Sequence, residues 1–105
     1  MVESITAQDL QNMIKAQTNI RVLDVRRKAD FAGSPQKIIP ARWQDPERVN
    51  EWLATVPTDQ DIVVYCVKGG GVSQSIADQL ARKQCRVKFV QGGIKAWREI
   101  GGPLA

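Results

Sequence analysis

Residues 61–66 read DIVVYC: one acid, then five apolar residues with no polar interruption, three of them β-branched. A continuous run of that kind predicts a strand buried on both faces. Two further runs, IRVLDV at 20–25 and RVKFV at 86–90, read as strands, and Ile38-Ile39-Pro40 as the start of another short one. Between them the apolar spacing changes to the helical one. Thr6 can cap a helix with Asp9 in its first turn and Leu10, Met13 and Ile14 on one face. Asp45-Pro46 opens a second helix, with Val49, Trp52 and Leu53 turned inward. Residues 72–83 form a third, with Ile76, Ala77 and Leu80 as its buried stripe. A last helix faces the core with Ile94, Trp97 and Ile100 and is stopped by Gly101-Gly102-Pro103. Residues 26–37 are polar, with Gly33-Ser34-Pro35 marking a loop.

Strands that alternate with helices in this way predict an α/β fold. The strands run parallel, the crossovers are right-handed, and helices cover both faces of the sheet. The 105 residues suit one domain over 1–105. Ligands of such sheets bind at the carboxyl ends of the strands, and Cys66 stands at the carboxyl end of the most buried-looking one.

Composition narrows the chemistry. Apolar residues make up 43% and charged residues 25%, an ordinary globular balance, and no apolar run approaches the roughly 20 residues of a membrane span. The opening MVESITAQDLQNM lacks a secretory pattern, so a cytoplasmic location is expected. There is no histidine, which removes imidazole as a base, and Cys66 and Cys85 have neither a CxxC nor a zinc spacing. No metal and no cofactor are expected. A disulfide between the two cysteines would need an oxidising compartment. The net charge is +4, with basic clusters at Arg26-Arg27-Lys28, Arg82-Lys83 and Arg86 with Lys88. These read mainly as solvated faces, secondarily as attraction for small anions or acidic partners. Aromatics, at 6%, do not interleave with the basic residues, so neither nucleic acid nor membrane is an expected partner.

The candidate chemistry lies in CVKGGGVS, residues 66–73. Three successive glycines can leave backbone N–H groups uncovered and turned inward as an anion-holding nest. The helix beginning near Val72 adds its positive end, and Lys68 adds a charge. A thiol in that field should ionise readily, and the thiolate is the reactive form, with no need of a histidine base. A lone cysteine is more often a buried structural residue; its placement between a core strand and a helix favours function here. For Cys85, at a helix-to-strand junction, the structural reading is preferred.

These residues resemble the rhodanese-like sulfurtransferases. DVRRKADF (24–31) resembles that family's DVR-x-x-x-E-F stretch, with Asp30 for the usual glutamate. CVKGGGVSQSIADQL (66–80) resembles its cysteine loop and following helix, and VQGGIKAW (90–97) with IGGP (100–103) its closing segment; ITAQDL (5–10) also fits. The resemblance implies a sheet of about five strands, mostly parallel, and a cysteine that carries a persulfide. Carried onto this chain, Cys66 is the nucleophile. The backbone of Val67, Lys68, Gly69, Gly70, Gly71 and Val72 holds the anion. Asp24 and Arg26 brace the loop rather than react, with a structural ion pair to Asp30 or another neighbour as the preferred reading. The implied partners are a small anionic sulfur donor such as thiosulfate and a thiol or protein acceptor, replaced by cyanide in the test tube. The family usually reads G-H-I-P-G-A before its third strand, where this chain has KIIPAR (37–42). Two readings of the following residues stand. Arg42 and Trp43 either enter the pocket and alter what fits, or are a surface arginine and a tryptophan at the edge of the core.

Two other functions are weighed against this one. A cysteine phosphatase or arsenate reductase would need an arginine about six residues after the cysteine; that position is Val72, and the loop reads one residue short for phosphate. A non-catalytic binding or sensor module would have no need of the intact thiol.

Overall fold

The computed structural model describes residues 2–105. Five strands, β1 (Glu3–Ile5), β2 (Ile20–Asp24), β3 (Arg42–Trp43), β4 (Asp61–Tyr65) and β5 (Arg86–Val90), form one sheet in the order β1-β5-β4-β2-β3. Every pairing is parallel; β4 sits at the centre, with Val63 opposite Val22 on one side and Lys88 on the other. The helices are α1 (Ala7–Lys15), α2 (Lys28–Gly33), α3 (Val49–Trp52), α4 (Gly71–Arg82) and α5 (Gly93–Glu99).

The central strand shows why a parallel strand reads as unbroken apolar sequence. Successive side chains point to opposite faces. Val63 and Tyr65 enter a core that includes Leu10, Ile94 and Trp97, from α1 and α5. Ile62 and Val64 enter the other, with Trp52, Ile76, Ala77 and Leu80, from α3 and α4. Both faces are covered, so neither parity can be polar.

Thr6 caps α1 with a reciprocal box: its hydroxyl oxygen accepts the Asp9 N–H at 3.0 Å and the Asp9 carboxylate accepts the Thr6 N–H at 3.4 Å. Asp45 caps the next helical segment by accepting the Glu47 N–H. That segment is three short pieces, a 3-10 turn, α3 and a second 3-10 turn, rather than one helix.

Three expectations are corrected, and one strand was not anticipated. The loop at 26–37 contains α2, whose cap Arg27 makes no side-chain hydrogen bond; its half-buried Phe31 is stacked on Trp43 with ring centroids 4.9 Å apart. That stabilisation comes from a residue distant in sequence and leaves no local periodic signal. The third strand is Arg42–Trp43, while Ile38 makes a single bridge to Leu104. The opening residues form β1 at the sheet edge, too short for a visible alternation. Ile100 is 39% exposed, because α5 ends at Glu99 and the chain turns at Gly101 with φ +71°. No helix among the described residues is long and apolar enough to cross a membrane.

Candidate active site

Cys66 follows β4 directly, and its side chain is 5% exposed. Its position is fixed from a distant part of the chain. The N–H groups of Ile94 and Lys95, in the first turn of α5, donate to the carbonyls of Cys66 at 2.9 Å and Val67 at 3.1 Å. That approach needs a glycine beneath it: Gly93 has φ +56°, and a Cβ there would lie 2.6 Å from the Val67 carbonyl oxygen and closer still to that of Cys66. Within the cysteine loop, Gly69 has φ +73° and a Cβ on it would lie 2.7 Å from both Gly92 N and Val90 O. Gly70 and Gly71 have open space where a Cβ would stand. Gly69 therefore seats the loop against β5 and α5, whereas Gly70 and Gly71 leave the approach to the thiol uncluttered.

Cys66 opens on a cavity of ≈ 270 Å³ lined also by Arg26, Arg27, Asp30, Val67, Lys68, Gly70, Gly71 and Val72. Every predicted loop residue except Gly69 lines it. Helix α4 begins at its edge with no side chain capping the first turn, so its leading amides are available to an anion. Arg27 and Asp30 were not anticipated: the basic cluster at 26–28 reads as a solvated face, and only the crossing of β2 beside β4 brings it to the cysteine.

Ser73 was missed as well. It lies in the first turn of α4, fully buried, with its hydroxyl oxygen 3.2 Å from the Cys66 sulfur. In the thiol form the S–H donates to the hydroxyl oxygen, and the Ser73 O–H donates to the Gly70 carbonyl at 3.4 Å. When the thiol loses its proton the sulfur can only accept, and the Ser73 hydroxyl can turn to donate to it. The Gly70 carbonyl is not orphaned by that turn, because it also accepts the Gln74 N–H at 3.3 Å. Ser73→Ala is expected to slow alkylation of Cys66 by iodoacetamide several-fold at neutral pH, with Ser73→Thr recovering most of the rate. Loss of one charge-assisted hydrogen bond, worth about 1.5–3 kcal/mol, sets the upper limit. An unchanged alkylation rate in Ser73→Ala would remove this role.

Asp24 and Arg26 form the structural ion pair that is the preferred reading of the sequence, with each other as the neighbour. Arg26 pairs with Asp24 at 2.7 Å, not with Asp30, and both side chains are almost completely buried. The remaining guanidinium donors reach the carbonyls of Ser34 at 2.8 Å and Gln36 at 2.9 Å. Arg26 thus bolts the 34–36 turn to the end of β2 and touches the mouth only with its flank. The Asp24 carboxylate also lies near Tyr65, the residue before Cys66; burial first, and that carboxylate second, push the Tyr65 phenol well above its ordinary value. The neutral hydroxyl accepts the Ile38 N–H at 3.1 Å.

Arg42 and Trp43 do not enter the cavity. Trp43 donates its ring N–H to the Arg26 carbonyl at 2.9 Å and stacks on Phe31; Arg42 is exposed beside a separate cavity with Ile20, Arg21, Pro40 and Gln60. The outward reading is the one observed. Cys85 is buried in the α4-side core, and both cysteines are free thiols. Among the described residues no cluster of three or more cysteines, aspartates or glutamates is placed to hold a metal.

The structure is an all-parallel α/β domain with a cysteine at the carboxyl end of its central strand, in a turn that opens on Arg26, Arg27, Asp30 and Lys68. The family model for the rhodanese-like domain matches residues 6–100, and the chain belongs to that family. It is 30% identical over 105 residues to a sulfurtransferase of Allochromatium vinosum, covering 99% of this chain and 95% of that one. A rhodanese-related protein from Thermoplasma volcanium superposes with a TM-score of 0.84 at 27% identity, over 98% of this chain and 97% of its own. A thiosulfate sulfurtransferase from Pseudomonas aeruginosa shares the fold, with a TM-score of 0.80 at 20% identity over 100% of this chain and 19% of its own.

Proposed function

We propose that the protein is a sulfurtransferase that carries sulfane sulfur as a persulfide on Cys66. The observation that carries this reading is the thiol at the end of β4 facing a cavity lined by Arg27 and Lys68. The Cys66 thiolate attacks the outer sulfur of thiosulfate; a new S–S bond forms, the donor's S–S bond breaks, and sulfite leaves with the electron pair. A nucleophile then attacks the outer sulfur of the persulfide. Cyanide would leave as thiocyanate, and a thiol acceptor would leave as its own persulfide; either step returns the Cys66 thiolate. Lys68, Arg27 and the amides of the Val67–Val72 stretch stabilise the charge that grows on the leaving sulfite. Val72 occupies the place where phosphatase chemistry would need a guanidinium, which disfavours that alternative. Two free thiols suit a reducing compartment such as the cytoplasm, and the chemistry calls for no metal, cofactor, nucleic acid or membrane.

The test is intact mass before and after incubation with thiosulfate. Wild type should gain one sulfur atom that cyanide removes, and Cys66→Ser should gain none. A folded, reduced protein that takes up no sulfur would favour a binding module instead. Lys68→Ala should raise the KM for thiosulfate more than that for an uncharged persulfide donor, since an exposed charge acts mainly by holding the anion. Equal effects on the two donors, in steady-state assays, would count against that role.

A further inference from the structure

The cavity at Cys66 carries an acid that sulfur transfer from an anion does not call for. Asp30 lines it together with Arg26, Arg27 and Lys68. Arg26 adds little to the field, because the Asp24 carboxylate matches its charge at 2.7 Å and both side chains are buried. The ion pairs among the described residues are Arg26–Asp24, Arg48–Glu51 and Arg86–Asp61. Arg27, Asp30 and Lys68 are exposed and belong to none of them. A ligand in the cavity therefore meets two cations and one acid that no side chain neutralises.

The fold holds Asp30 at this place. Phe31, stacked on Trp43 with ring centroids 4.9 Å apart, orients α2, and the Trp43 ring N–H donates to the Arg26 carbonyl at 2.9 Å. Arg27 and Asp30 are three residues apart at the start of α2, a spacing that puts them on one face, and both line the cavity. A sphere of ≈ 270 Å³ is roughly 8 Å across, about one Debye length at physiological ionic strength. Charges that line so small a space all act on a ligand inside it. The sign of each contribution follows from charge alone, whatever the order of the residues along the wall: Arg27 and Lys68 favour an anion, and Asp30 opposes it.

We propose that Asp30 is a specificity-determining residue. It weakens the hold of the cavity on ligands of purely negative charge, such as thiosulfate, and favours sulfur donors and acceptors whose charge is zero or balanced by an ammonium group. Arg27 and Lys68 make the cavity receptive to an anion; Asp30 keeps it from retaining one, sulfite included, so that a thiol acceptor can take its place. The assignment rests on the sulfurtransferase reading for the identity of these ligands. The charge preference itself belongs to the thiol site and is measurable without sulfur transfer.

The test is alkylation of Cys66 by iodoacetate, an anion, and by iodoacetamide, its uncharged counterpart of similar size, with the modified residue located by peptide mass. The ratio of the two rates cancels any change in the thiol, because the same thiolate attacks both reagents. Asp30→Asn is expected to raise the iodoacetate-to-iodoacetamide ratio about two- to fivefold, the scale of one exposed charge. Asp30→Glu keeps the charge and should leave the ratio near that of wild type. Salt at about 1 M should remove most of the difference between wild type and Asp30→Asn. An unchanged ratio in Asp30→Asn, an equal rise in Asp30→Glu, or no reaction of either reagent with Cys66 in the folded protein would overturn the proposal. Uptake of sulfur from thiosulfate is scored separately. A shifted ratio with no sulfur uptake would retain the role of Asp30 and remove the sulfurtransferase reading. Uptake with an unchanged ratio would do the opposite.

Discussion

Gly93→Ala is expected to destabilise the protein by about 2–5 kcal/mol and to disorder the cysteine turn. Two costs combine. Alanine at φ +56° sits in the left-handed region, which costs an L-residue about 1–2 kcal/mol. Its Cβ also meets the carbonyl oxygens of Cys66 and Val67, and an overpacked site of this kind costs about 1–3 kcal/mol. Relief requires α5 to withdraw, and withdrawal breaks the hydrogen bonds from the Ile94 and Lys95 amides to those carbonyls. The variant should therefore lose urea resistance and sulfur transfer together, and expose Cys66 to a bulky thiol reagent. Gly71→Ala is the comparison. Its Cβ enters open space within α4, so stability should hold or rise by about 0.4–1 kcal/mol. Urea unfolding of the pair gives the answer: similar losses in both would mean that loop flexibility, not the contact beneath Cys66, is what these glycines supply.

Asp24→Ala is expected to cost about 3–5 kcal/mol, because it leaves the Arg26 charge buried without its partner. Arg26 donates to both carboxylate oxygens of Asp24, and its other donors go to backbone carbonyls that carry no full charge. Removing both charges should be less damaging than removing one. The double variant Asp24→Leu/Arg26→Leu should retain more stability than Asp24→Ala, less whatever the carbonyls of Ser34 and Gln36 lose. Chemical denaturation of the two variants measures the order. If Asp24→Ala were the milder change, Arg26 would have to reach solvent once freed, and the pair would be a surface interaction. Because Arg26 flanks the mouth at Cys66 and Tyr65 precedes it, the surviving fraction of folded Asp24→Ala should also show altered Cys66 alkylation.

The parts of the fold that were legible in the sequence are those whose signals are local. The five-residue apolar run that ends at Cys66 can only be a strand covered on both faces, and β4 is one. The stripe Ile76, Ala77 and Leu80 defines the buried face of α4, and Thr6 with Asp9 defines the start of α1. The thiol, its glycines and Lys68 were likewise readable, since the chemistry of an anion-holding turn is written in consecutive residues. Helix α2 was not readable, because its Phe31 stacks on Trp43, twelve residues away, and the stretch itself has no periodicity. Ile100 misled for a related reason: it continues the apolar spacing of α5, but the helix ends one residue before it.

The candidate site divides in the same way. By itself the sequence determined the candidate thiol, the pliable loop around it and an alternating α/β order that puts that thiol at a strand's carboxyl end, because each of these depends on neighbours in the chain. Only the tertiary structure decided that Gly93 supports the Cys66 carbonyl, that Ser73 turns inward to the sulfur, that Arg26 closes on Asp24 rather than Asp30, that Arg42 and Trp43 face away, and that Arg27 and Asp30 line the cavity at Cys66. Those pairings depend on which strand lies beside which. The order β1-β5-β4-β2-β3 is selected by packing both faces of the sheet at once, so no single stretch of sequence contains it.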